Sequence, residues 1–250
     1  MKLSRELSEL LHELLQLPQW VAYRIVANER KGKPDKLPLN PRDGTNAKAN
    51  DASTWGTYDE AVRYASEHGL VGDLGGIGFE FNNDGYAGID LDDVVLSEGT
   101  LKSFADEVVR LMDSYTEYSP SGKGLHILFK LNVPLLEFGS RRRNDELGIE
   151  IYDTGRYFTI TGNVYGELKP LSERTETVRK IYDKYLSRAR MIMRIKAFYV
   201  CLRAIEKLSL VYLRMISCWI LCLVPSMERK FTPCLTVIYQ AMEMTRAGLI

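Results

Sequence analysis

The chain has 250 residues, enough for one large domain or for a domain with an appendage. Hydrophobic residues make up 45% and charged residues 26%, ordinary for a soluble globular protein. Net charge is zero, yet residues 1–190 carry 30 Asp/Glu against 25 Lys/Arg, while 191–250 carry three acids against eight Lys/Arg. The longest uncharged run, Met215 to Met227, is thirteen residues with Pro225 inside it, too short for a bilayer span. All four cysteines (Cys201, Cys218, Cys222, Cys234) lie near the C-terminus, which excludes a disulfide framework for the main domain and suits a cytoplasmic protein. The N-terminus is broken by charges throughout and does not read as a signal peptide.

Leu3 to Leu17 has apolar residues at helical spacing and reads as a surface helix. Trp20 to Ala27 reads as a strand. The polar stretch over residues 31–54, rich in Pro, Asn, Asp, Gly and Lys, reads as one long loop. A helix is expected over Thr57 to His68. Gly76 to Phe81 and Tyr86 to Leu91 then read as two strands of a hairpin joined by Asn82-Asn83-Asp84-Gly85. Leu101 to Tyr115 is amphipathic and helical. Strands follow at Leu125 to Lys130, Ile149 to Tyr152 and Tyr157 to Thr161, and a helix at Leu171 to Leu186. Helices and mostly hairpin-linked strands in this order indicate an α+β domain.

Three segments carry chemistry. In Gly88-Ile89-Asp90-Leu91-Asp92-Asp93, strand alternation puts Asp90 and Asp92 on one face, roughly 7 Å apart at Cα. Two such carboxylates repel unless a cation lies between them, and hard oxygen ligands suit Mg²⁺ or Mn²⁺. In Ser119-Pro120-Ser121-Gly122-Lys123-Gly124-Leu125-His126, a flexible turn offers backbone N–H groups that can face phosphate. It is not a P-loop: Ser or Thr does not follow Lys123, and position 117 is a glutamate. His126 lies near the start of an apolar strand, where a histidine taken alone is by default structural. Glu150 lies between Ile149 and Ile151, and a carboxylate in such a strand is costly to bury unless paired or bound to metal. Asp153 and Arg156 fall in the following turn, where a plain ion pair is the simplest reading.

In that order, the acid pair, the Ser-Gly-rich turn ending in histidine, and the acid before Arg156-Tyr157-Phe158-Thr159 resemble the archaeo-eukaryotic primase superfamily. The likeness is to bifunctional primase-polymerase domains of phages, plasmids and integrated elements. It covers roughly residues 18–165, including Lys36-Leu37-Pro38 and Ser53-Thr54-Trp55. The resemblance implies a primase-polymerase core with an RRM-like antiparallel or mixed sheet flanked by helices. It implies metal ligation by Asp90, Asp92 and Glu150, with Asp153 the alternative third acid. It gives His126 the incoming triphosphate, with Ser121, Gly122, Lys123 and Gly124 beside it and Arg156 and Lys36 as further phosphate contacts. The implied reaction is primer synthesis or extension on single-stranded DNA from nucleoside triphosphates, with two divalent ions and a replicative helicase in cis or in trans. Arg141, Arg142 and Arg143, with Lys31, Lys33 and Lys36, are the expected basic surface for template. Tyr152, Tyr157 and Phe158 are equally open as an aromatic gate against a 2′-hydroxyl.

Residues 191–250 read differently: Met and Cys rise, and Asp is absent. Cys218 and Cys222 have no histidine partner after His126, which argues against zinc. We read this tail as helical or poorly ordered, outside a catalytic domain at 1–190, and as the product of a frame shift near residue 190 that removes a downstream part. Two other functions stay open on sequence: a truncated remnant that binds nucleic acid without catalysis, and a metal-dependent nuclease.

Overall fold

The computed structural model describes residues 3–30, 32 and 34–187, so the expectations for the tail, and for Lys31 and Lys33, lie outside the described residues. Helices α1 (Arg5–Leu10) and α2 (His12–Leu15) occupy the expected first helix, broken at Leu11. Ser4 caps α1 by accepting from the Leu7 amide at 3.2 Å. Leu3, Leu7, Leu11 and Leu14 form the buried stripe. Strand β1 (Trp20–Val26) follows.

The stretch expected as one loop contains β2 (Asp35–Leu39), which pairs antiparallel with β1, placing Lys36 opposite Ile25. Pro38 hid this strand, but β2 is a sheet edge, where proline is tolerated. Helix α3 (Tyr58–Glu67) starts with a capping box, in which Thr57 and Glu60 satisfy each other's backbone amides.

Strands β3 (Gly75–Asn82) and β4 (Tyr86–Leu91) are not the expected hairpin. They belong to different sheets, because the chain turns through Asn83 (φ 55°) and Gly85 (φ 93°) and crosses between layers. The remaining elements are α4 (Ser103–Met112), β5 (Thr116–Tyr118), β6 (Leu125–Lys130), β7 (Arg143–Asn144), β8 (Ile149–Tyr152), β9 (Thr154–Ile160) and α5 (Thr175–Ile181). A π-helical turn, Tyr182–Leu186, extends α5.

The fold is therefore mixed α+β with two antiparallel sheets, ordered β2-β1-β3-β9 and β5-β6-β4-β8-β7, where a single sheet was expected. Alternation assigns the faces of the second sheet. Ala87, Ile89 and Leu91 of β4, Leu125, Ile127 and Phe129 of β6, and Ile149 and Ile151 of β8 are buried with residues of α4 and α5. The even-numbered residues of β4, β6 and β8 point the other way, toward the first sheet. There Trp20, Phe79, Phe81 and Phe158 pack with α1–α3 and reach Tyr115 and Leu128. Gly88 makes this approach possible, since a Cβ there would lie 2.8 Å from the Phe81 ring and closer still to Phe158. Among the described residues no helix is long and apolar enough to cross a membrane.

Candidate active site

Pairing register sets the site. Asp90 on β4 lies directly opposite His126 on β6 and directly opposite Glu150 on β8. His126 in turn faces Glu117 on β5, and Glu150 faces Arg143 on β7. Directly paired residues share a sheet face, so five ionisable side chains form one row across the whole second sheet: Glu117, His126, Asp90, Glu150, Arg143. Hydrophobic alternation in each strand builds this row, because burying one face fixes the register of the other.

Asp90 is largely enclosed, its side chain 16% exposed. Burial pushes its carboxyl above the ordinary range, and the negative charges of Asp92 and Glu150 add to the rise, while His126 and Lys36 oppose it. Its Oδ1 lies 3.8 Å from His126 Nε2. Asp92 sits one residue past the end of β4, its amide donating to the Gly148 carbonyl at 2.7 Å. It lines a cavity of about 310 Å³ together with Glu150, Arg143, Lys102 and Gly148. Two glycines crowd this corner. A Cβ on Gly124 would sit 2.6 Å from the Leu91 carbonyl oxygen, and one on Gly148 2.8 Å from that of Asp92.

Glu150 is buried and heavily contacted. Tyr152 Oη donates to its Oε2 at 2.9 Å, Arg156 Nη2 lies 3.4 Å from the same oxygen, and Arg143 Nε lies 3.7 Å from Oε1. The Arg156 guanidinium also stacks over the Tyr152 ring, 5.3 Å from its centroid. These contacts draw the carboxylate aside, and among the described residues no three His, Cys, Asp or Glu side chains are grouped closely enough to hold a metal ion as they stand. The donor chemistry nevertheless fits a hard divalent cation. Asp90 pairs with Glu150 and lies two residues from Asp92, and burial first, then both of those negative charges, raise it, so added positive charge would favour its ionised form.

Asp153, the alternative third acid, is elsewhere. Its Oδ2 accepts from the Leu135 amide at 2.7 Å, and it lines a separate cavity of about 150 Å³ with Asn83, Tyr86 and Asn132. The strand register thus puts Glu150, not Asp153, beside Asp90.

In the Ser119–Gly124 turn, the Gly122, Lys123 and Gly124 amides donate to Ser119 O, Ser121 Oγ and Ser119 Oγ at 2.9, 3.3 and 3.3 Å. The turn thus uses these three backbone donors on itself rather than offering them to phosphate. What it presents are the exposed Ser121 and Lys123, held near Asp92 by Gly124 and by a bond from the Val95 amide to the Lys123 carbonyl at 2.9 Å.

The triple arginine divides its labour. Arg141 donates to the carbonyls of Arg143 and Leu186, and Arg142 to that of Gly139, so two of the three tie loop to loop. Arg143 alone turns toward the row, bonded to Asp145 and near Glu150. Of the aromatic candidates, Phe158 packs on the His126 ring with centroids 5.0 Å apart, Tyr152 holds Glu150, and Tyr157 Oη donates to the Lys36 carbonyl at 2.7 Å.

Two buried acids were missed in the sequence. Glu117 is fully buried beside His126. It lies one residue into a strand of three, too short for alternation to be seen. Glu80 on β3 is also fully buried, and both its carboxylate oxygens lack a hydrogen-bond partner among the described residues. Glycines on either side of Ile77 blurred the pattern there.

No protein-family model matches the chain. It is 34% identical over 158 residues to the DNA primase-polymerase of Nitratiruptor phage NrS-1, a match that covers 61% of this chain and 20% of that protein. The chain thus matches only about a fifth of that relative's length, and over that stretch it is similar to a phage primase-polymerase, in agreement with the resemblance carried by the motifs.

Proposed function

We propose that residues 1–190 form a primase-polymerase domain that carries out template-directed nucleotidyl transfer, making or extending primers on single-stranded DNA from nucleoside triphosphates. The observation that carries this reading is the register that sets Asp90 between His126 and Glu150, with Asp92 at the adjoining cavity. Asp90, Asp92 and Glu150 would hold divalent cations, Mg²⁺ or Mn²⁺. Such ions supply charge neutralisation at the triphosphate and lower the barrier to attack by a primer 3′-hydroxyl.

The chain's own groups do the rest by position. His126 Nε2, 3.8 Å from Asp90 Oδ1, and the exposed Lys123, next to the Gly124 that abuts Asp92, would contribute charge and hydrogen bonds to a triphosphate. Lys36 is close enough to lower the Asp90 carboxyl and adds positive potential from the first sheet. Arg156 and Arg143 restrain Glu150 and are the cations nearest to exchange a carboxylate for a phosphate. A replicative helicase partner, in cis or in trans, belongs to this reading as well.

Cleavage of phosphodiesters would use the same acids. The Ser-Gly-Lys-Gly-Leu-His turn, with His126 beside Asp90 and Gly124 against Asp92, favours a triphosphate substrate over a simple nuclease. A 5′-labelled primer annealed to a longer template, incubated with the full chain, Mn²⁺ and triphosphates, separates the possibilities. Lengthening of the label supports the proposal. Shortening indicates a nuclease, and binding without change of length indicates an inactive remnant.

A further inference from the structure

We propose that Glu117 is a positioning residue for His126, fixing which ring nitrogen faces the cleft and thereby how firmly the site holds a triphosphate; this rests on the function proposed above. Glu117 is fully buried, and its carboxylate accepts from Tyr115 Oη at 2.6 Å, the Thr161 amide at 2.9 Å and the Gly162 amide at 3.0 Å. Its Oε1 lies 3.7 Å from His126 Nδ1. The same Nδ1 is 3.0 Å from the Thr159 carbonyl oxygen. A carbonyl can only accept, so Nδ1 carries the proton, and the carboxylate behind it favours that arrangement. Nε2 is then the nitrogen left toward Asp90.

The Phe158 ring fixes the imidazole plane from the side. Thr161 and Gly162 follow β9 of the first sheet, whereas Glu117 and His126 belong to the second. One carboxylate therefore references the histidine to both walls of the cleft. Buried carboxylates are costly, and one kept behind a functional histidine acts as the outer-shell partners of metal-binding histidines do, by holding tautomer and orientation. A purely mechanical staple between β5 and the end of β9 is the competing explanation.

A double-mutant cycle on the full chain distinguishes them. Triphosphate affinity in Mn²⁺ is measured without turnover for the wild type, Glu117→Gln, His126→Ala and the double variant, with Tm recorded for each. Glu117→Gln is expected to weaken binding about tenfold or more, the scale of outer-shell losses at histidine sites. The double variant is expected to bind no more weakly than His126→Ala alone. Additive losses, or unchanged affinity in Glu117→Gln, overturn the positioning role. Wild-type protein that takes no triphosphate overturns the reading of the site itself. Should Glu117→Gln fail to fold, Glu117→Asp, which draws the carboxylate back from Nδ1, takes its place in the cycle, and the His126 tautomer is read in both the wild type and the variant. Only His12, His68 and His126 contribute imidazole signals. A proton found on Nε2 with Nδ1 bare in His126 contradicts the proposal, and the reverse supports it.

Discussion

At the scale of single residues, Asp90 and Glu80 show two outcomes of burying a carboxylate. Asp90 is raised by burial and by neighbouring acids, but has His126 and Lys36 in range, and its neighbours Asp92 and Glu150 line a cavity. Among the described residues Glu80 has no hydrogen bond to either oxygen, and burial pushes its carboxyl up to about 7 from an ordinary 4.5, with Arg156 pulling it back only in part. The sign of the consequence is fixed. The folded state holds this proton where the unfolded chain has lost it, so stability from Glu80 is full below about pH 4.5 and is lost as the pH rises through about 7. Glu80→Gln is therefore expected to melt progressively higher than the wild type as pH goes from 5 to 8. The total shift corresponds to about 3 kcal/mol at most, and the Tm gap should widen by about 5 °C. Melting curves across that range check it, and a gap that is constant with pH refutes it.

Sequence singled out Asp90, His126 and Glu150 as candidates, because each stands out against apolar neighbours in a strand, and Asp92 because it follows the end of one. It could not show Glu117 or Glu80, since their meaning lies in what faces them across a sheet. It also could not rank Glu150 above Asp153: three residues apart, they are separated by register, which only pairing with β4 defines.

At the scale of elements, two loops decide how close backbone comes to the acids. Gly148 adopts φ 73° and stands where a Cβ would meet the Asp92 carbonyl at 2.8 Å. Gly148→Ala combines backbone strain of about 1–3 kcal/mol with displacement of Asp92. It should lower Tm by several degrees and lower nucleotide incorporation more than tenfold, since small displacements at a reacting centre are costly. Gly69 has nearly the same backbone, φ 65°, with nothing within 4 Å of a Cβ. Gly69→Ala should lose comparable stability yet keep its activity. Equal activity loss in both would mean that Gly148 acts through stability alone.

Strands and helices were mostly legible from periodicity, but partnership was not. Asn82-Asn83-Asp84-Gly85 has the composition of a hairpin turn and does reverse the chain. What it joins are β3 and β4, each already satisfied by other partners: β1 and β9 for one, β6 and β8 for the other. The same holds for β8 and β9 around Asp153. Twice the chain steps from one sheet to the other, and these crossings put Phe158 against His126 and Arg156 against Glu150.

At the scale of the whole molecule, the described residues supply two packed sheets with the ionisable row between them, and composition divides them from 191–250. The proposed frame shift near residue 190 is settled by sequencing the gene with its flanks: an uninterrupted frame encoding this tail removes the idea. The central claim concerns the row itself, and one measurement tests it most directly. Single-nucleotide incorporation on a primed template in Mn²⁺ is compared for the wild type, Asp90→Asn, Asp92→Asn, Glu150→Gln and Asp153→Asn. The account predicts losses of about a hundredfold or more in the first three variants, and activity within a few-fold of wild type in Asp153→Asn. Activity retained in Asp90→Asn or Glu150→Gln, or lost in Asp153→Asn with its fold intact, would contradict it.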